Sequence, residues 1–120
     1  MSDAVFDELI HAPVRLQICA LLSPVRSLAF AELRERLVIS DSVLSKQLSS
    51  LAAADYVVVS RVRQDGRSRR QVALTDVGST ALRGHLAALR EIVDAAESRS
   101  GKARTARPSP IRPAPARPTS

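Results

Sequence analysis

Five arginines fall within ten residues of the stretch SRVRQDGRSRRQVALT: Arg61, Arg63, Arg67, Arg69 and Arg70, set around a single Asp65-Gly66 pair. Cations packed this closely repel one another, which costs stability unless a polyanion shares their space. Phosphate binding is the chemistry such a cluster can do. The valine-rich YVVVSRV before it and QVAL after it read as antiparallel strands, and Asp-Gly signals the turn between them. On this reading the arginines line a hairpin that grips phosphates, with Arg67 or Arg69 near its tip in reach of a minor groove. The plainer reading, a solvated charged loop, uses the same residues.

A second polar set lies just upstream. In SDSVLSKQLSSLAAA, Val43, Leu44, Leu48 and Leu51 recur at helical spacing and are expected to face inward. Ser42, Ser45, Lys46, Ser49 and Ser50 then face outward. A major groove is about 12 Å wide, so only a helix with small outer side chains can approach the base edges closely. Serine and lysine can also donate hydrogen bonds to phosphates. Ser42, Ser45, Lys46 and Ser49 are the candidate groove contacts, with Gln47 at their border and chemically able to pair with adenine. The same residues would suit a solvated helix face; the arginine hairpin that follows weights the reading toward DNA.

Catalysis finds no comparable footing. His11 and His85 lie at opposite ends of the domain and in no recognisable motif; His85, on the apolar side of its helix, reads as a core or interface residue. Cys19 is the lone cysteine, which excludes an intrachain disulfide and a cysteine metal cluster. Its setting between Ile18 and Ala20 favours inert packing over redox sensing. No catalytic residue, no metal site and no cofactor is expected. Phe6, Phe30 and Tyr56 are the only aromatics, which argues against a large drug-binding cavity. An unidentified small-molecule effector stays open as a partner.

The elements that must position these residues follow from periodicity. Val5, Phe6, Leu9 and Ile10 suggest a short first helix. Ala12-Pro13 opens a second, largely buried one that ends near Ser23-Pro24, proline being tolerated in a first turn. FAELRERLV forms a short amphipathic helix with Phe30, Leu33 and Leu37 on one side. Ser40 is the N-cap of the serine-rich helix, about residues 41 to 54, and Asp55 supplies the turn that ends it. Thr75 caps a long last helix carrying Val77, Ala81, Leu82, His85, Leu86, Leu89, Ile92, Val93 and Ala96.

The net charge of +6 is unevenly placed. Residues 1 to 98 hold twelve basic and twelve acidic groups, so the excess belongs to residues 99 to 120. Within the neutral part, residues 61 to 70 sum to +4 and the flanks to −2 each. The arginine stretch is therefore the one strongly positive spot on the body. Two domains of different character result: 1–98 folded, and 99–120 a basic, Pro/Arg-rich tail expected to be disordered. The start has no signal-peptide pattern and no stretch approaches about 20 apolar residues, so no membrane partner and a cytoplasmic, nucleoid-associated location are expected.

The segments VRLQICALL, FAELRERL, SDSVLSKQLSSLAAADYV and RQDGRSRRQVALTDVGSTAL resemble the winged-helix transcriptional regulators related to the MarR and ArsR groups. The likeness covers about residues 3 to 97 and rests on LSKQL…YV…LT-x-x-G. It implies a mainly α fold with a small β-hairpin wing, a winged helix-turn-helix that is homodimeric through its terminal helices. Residues 41 to 54 would be the recognition helix, residues 57 to 74 the wing, and double-stranded DNA the partner. Gln47 departs from a common histidine, and Asp55 from the usual glycine before tyrosine. Gly78 keeps the family glycine, where close packing is its expected role.

A homodimer also has support independent of the resemblance. The last helix outruns the small body it can cover, so its distal apolar residues need a partner. Phe6, Leu9, Leu86, Leu89, Ile92 and Val93 are the expected interface. A sequence-specific regulator, more readily a repressor because the small body offers no separate surface for polymerase, is the expected function. A low-specificity nucleoid-associated or architectural DNA-binding protein is the alternative.

Overall fold

The computed structural model describes residues 3–106, with side chains to residue 98. Its order is α1 (Glu8–His11), α2 (Pro13–Leu22), β1 (Leu28–Ala29), α3 (Phe30–Leu37), α4 (Asp41–Ala53), β2 (Val57–Gln64), β3 (Arg67–Leu74) and α5 (Asp76–Ala106). The chain divides into two units, Met1–Ala88 and Leu89–Ser120. Within the first, a core of Ile10, Ile18, Leu22, Leu33, Leu44, Leu51, Val72 and neighbouring apolar residues is closed to solvent. Each buried aliphatic side chain contributes about 1.5–3 kcal/mol, so this core, and not helix propensity, holds the short helices in place.

Local chemistry sets the boundaries. Pro13 opens α2 where its missing N–H costs nothing. Ser40 caps α4, its hydroxyl accepting from the Val43 amide at 3.2 Å. Asp55, in the left-handed region at φ 66°, turns the chain out of α4. Thr75 begins α5: its Oγ accepts from the Gly78 amide at 2.9 Å and donates to the Asp55 carbonyl at 2.6 Å. Gly78 permits a close approach, since an added Cβ would collide with the Tyr56 carbonyl oxygen. The family glycine thus has the packing role expected of it.

Four expectations need correction. The first helix is only Glu8–His11; residues 3 to 7 are not helical, and the Val5 amide donates to the Gly84 carbonyl of α5 at 2.9 Å. A two-residue strand, β1, makes the sheet three-stranded in the order β1-β3-β2, with Leu28 opposite Val72. Such a short strand has too few residues to carry a periodic signal. Both wing strands are longer than expected, so all five arginines sit on strands and only Asp65-Gly66 forms the loop. Finally, α5 runs to Ala106, eight residues past the expected end of the folded part. No proline stands between Asp76 and Ala106, and proline is the residue that would break such a helix. The rest of the tail, 107–120, lies outside the described residues.

Candidate nucleic-acid interface

Leu44, Leu48 and Leu51 anchor α4 in the core, and that fixes which side it presents. Ser42, Lys46 and Ser49 are exposed together on the opposite side, and Ser45 is half-buried beside them. Val43, expected inward, is 40% exposed, because it falls about a quarter-turn from the leucine row. At the start of α4, Asp41 accepts from Arg34 of α3 at 2.8 Å. That hydrogen bond raises the Arg34 pKa above its ordinary value, and it ties the two helices across their turn.

Gln47 is half-buried on the flank toward α2, where its side-chain oxygen accepts from Arg15 at 2.8 Å. Arginine can only donate, so the amide oxygen must be the atom it meets. Arg15 is itself held by the Leu9 carbonyl at 2.6 Å. Bidentate pairing with adenine uses both the oxygen and the amino group of glutamine. With Arg15 on one lone pair of that oxygen, Gln47 has the other lone pair and its amino group left for such a pairing.

The wing is a two-residue hairpin with Gln64 opposite Arg67. Asp65 at φ 54° and Gly66 at φ 76° both take the left-handed conformation that matches the strands' twist. Register then sorts the arginines, because cross-strand partners share a face and neighbours alternate. Arg61 and Arg70 are opposite one another, and with Arg63 they continue the face that carries Val57, Val59 and Val72. Arg67 and Arg69 belong to the other face, with Val58 and Val62. Sequence alone presents the five as one group; the pleat makes them two.

Arg70 lies where wing and helix meet. Its guanidinium carbon sits 3.5 Å from the centroid of the Phe30 ring, and Phe30 is only 5% exposed. Stacking of this kind stabilises a cation by about 0.5–2 kcal/mol and fixes the plane of its N–H groups. Among the described residues no carboxylate pairs with Arg70. Arg70, Ser45, Ser49 and Val59 line a hollow of about 320 Å³ between α4 and the wing. Arg61 donates to Ser68 at 3.4 Å and Arg63 to the Gly66 carbonyl at 3.2 Å, whereas no hydrogen bond is formed by the Arg67 or Arg69 side chains among the described residues. The result is a small-residue helix face with Arg70 at its edge, and Arg61 and Arg63 on the same face of the wing as Arg70.

On the other side of the first unit lies a polar network that periodicity alone did not reveal. The Asp7 amide donates to His85 Nδ1 at 3.0 Å, and His85 Nε2 stands 3.2 Å from His11 Nδ1. The Asp7 carboxylate caps Ile10 and accepts from the Tyr56 hydroxyl at 2.5 Å. That last bond, with burial, pushes the Tyr56 pKa up to about 12. Cys19 is buried, and burial with the nearby Asp7 pushes its thiol to about 11, which suits packing and not thiolate chemistry. The two histidines, remote in sequence, are neighbours because residues 3–11 lie against α5. Of the expected interface residues, Leu9 packs partly on the core and Phe6, 41% exposed, meets His11 at a tilt and His85 edge-on. Leu86, Ile92 and Val93 are 42%, 57% and 49% exposed, and Leu89 is half-buried.

Among the described residues no group of three or more His, Cys, Asp or Glu is placed to hold a metal ion, and no helix is long and apolar enough to cross a membrane. Residues 14–93 match a family model described as a winged helix DNA-binding domain. No curated protein sequence matches the chain. Among solved structures, the transcriptional regulator homologue protein from Pyrococcus horikoshii OT3 is similar at a TM-score of 0.71 and 27% identity, over 74% of this chain and 88% of that one. The YusO protein from Bacillus subtilis is similar at 0.65 and 22%, over 76% and 64%. The adhesin competence repressor from Streptococcus pyogenes follows the same fold at 0.55 and 22%, over 76% and 66%.

Proposed function

Because the chain belongs to the winged helix DNA-binding domain family, we propose that it is a sequence-specific transcriptional regulator that binds double-stranded DNA as a homodimer. One observation carries this reading: α4 presents Ser42, Lys46 and Ser49 to solvent beside a wing whose Arg70 is stacked in place with no acidic partner among the described residues. In this account α4 enters the major groove, and Ser42, Ser45, Lys46 and Ser49 meet base edges and the nearest phosphates. Gln47 supports the helix through Arg15. Arg61, Arg63 and Arg70 bind phosphates along the groove wall, and Arg67 and Arg69, on the opposite face, reach the strand or minor groove beyond.

Two copies related by a two-fold axis would set their recognition helices about 34 Å apart, one DNA turn, and read a pseudopalindrome. Phe6, Leu9 and Leu86 of the first unit, and Leu89, Ile92 and Val93 of the second, are the apolar residues assigned to that contact. Repression is the favoured outcome, by occlusion of the promoter, and the similar fold of a named repressor supports it. The test is a genomic footprint taken at two salt concentrations. A regulator protects short pseudopalindromes at both. Coverage unrelated to sequence, falling with salt at a logarithmic slope of about 0.9 per phosphate contact, would instead identify a nucleoid-associated protein.

A further inference from the structure

The His85 ring fixes its own protonation state by what touches it. Nδ1 receives the Asp7 backbone N–H, so it must be unprotonated. A neutral imidazole then carries its proton on Nε2, and that N–H can only donate to His11 Nδ1, 3.2 Å away. His11 must in turn offer a lone pair there and carry its own proton on Nε2. One arrangement of protons satisfies every bond. His85 is fully buried, and Phe6 packs against both rings at 4.7 Å between centroids, while His11 itself is exposed to solvent.

Adding a proton to either ring breaks this arrangement. On His85 Nδ1 it would face the Asp7 amide hydrogen; on His11 Nδ1 it would face the His85 N–H. Each case sets donor against donor beside the buried His85 ring, and adds a cation there. The charged and titratable groups around His85 are Asp7 from the N-terminal segment, His11 from α1, and, beyond Asp7, Tyr56 and Cys19. Asp7 favours a charged imidazole, but burial and His11 oppose it more, and the His85 pKa is lowered.

We propose that the His11–His85 pair is a pH-sensitive latch that fastens residues 3–7, ahead of α1, to α5 when neutral and releases them when protonated. The Val5 amide also ties this segment to α5, at the Gly84 carbonyl one position before His85. Release also frees Asp7 from its place under Tyr56, the residue that leads from α4 into the wing. The linkage has a definite sign. A histidine with a lowered folded pKa contributes stability that is whole above its unfolded value, about pH 6.5, and is lost as pH falls through that value toward the folded one. The device goes beyond the proposed DNA function and stands without it.

The experiment is NMR on the full chain, following the ring nitrogens of both histidines and amide exchange at Val5 and Asp7. At about pH 7.5 both rings should show the Nε2–H tautomer, and between about pH 7 and 5 the two amides should lose protection at least about tenfold. His85→Asn keeps an acceptor for the Asp7 amide without a titrating group, and its amide protection should not change over that range. A proton on His85 Nδ1 at neutral pH, or Val5 and Asp7 protection in the unaltered chain that does not change with pH, would overturn the latch. The unaltered chain decides this even if the variant fails to fold.

Discussion

Val38 carries the most strained backbone of the interface side. It ends α3 at φ 55° with 87% of its surface exposed. A β-branched side chain in the left-handed region meets its own backbone and gains no burial in return. Val38→Gly is therefore expected to stabilise the fold by roughly 1 kcal/mol, the relief exceeding the entropy glycine adds to the unfolded chain. Thermal unfolding checks this, and an unchanged or lower midpoint would show that the turn holds Val38 for a contact of its own. Asp55 and Asp65 also take positive φ but fit it, since a short polar side chain can bond locally. The turn between α3 and α4 thus has the one conformation the sequence does not favour.

The wing is the element whose behaviour follows from its pleat. Arg67 and Arg69 share a face and make no side-chain hydrogen bond within the described protein, whereas Arg70 covers Phe30. Replacing Arg67 and Arg69 together with alanine should weaken DNA binding and leave the thermal midpoint nearly unchanged. The salt slope should fall by about 0.9 for each phosphate that the variant no longer neutralises. Unaltered DNA affinity would refute the wing's role. Arg70→Ala is a different experiment: it uncovers an aromatic ring as well as removing a charge, so stability should fall along with affinity. Comparing the two variants separates a cation that only meets DNA from one that also builds the protein.

At the scale of the molecule, the proposed dimer rests on α5. In the first unit its side chains at Leu82, His85 and Ala88 are buried, while Leu86, and in the second unit Ile92 and Val93, leave apolar surface exposed. Replacing Ile92 and Val93 together with glutamate should convert the proposed dimer to a monomer in sedimentation and cost most of the DNA affinity. The monomer should keep its fold, because neither residue belongs to the core. A variant that stays dimeric would move the interface elsewhere. Shortening the chain after Ala106 removes only basic residues among its charged ones and should lower affinity without altering sequence preference.

The order of the helices, the caps at Ser40 and Thr75 and the turn at Asp65-Gly66 were legible in the sequence alone, whereas the extents of α1 and α5 were not. Apolar spacing, Ser40, Thr75 and Asp-Gly act over a few residues, and local chemistry reads them directly. So was the proximity of serine face and arginines, which are adjacent in the chain. Tertiary structure decided what local pattern cannot encode. The strand register split five arginines between two faces, a two-residue strand joined the sheet by pairing with β3, and packing laid residues 3–11 on α5 so that His11 met His85, 74 positions away. Those outcomes depend on which surfaces meet, and a side chain's partner across the fold leaves no mark on the residues beside it in sequence.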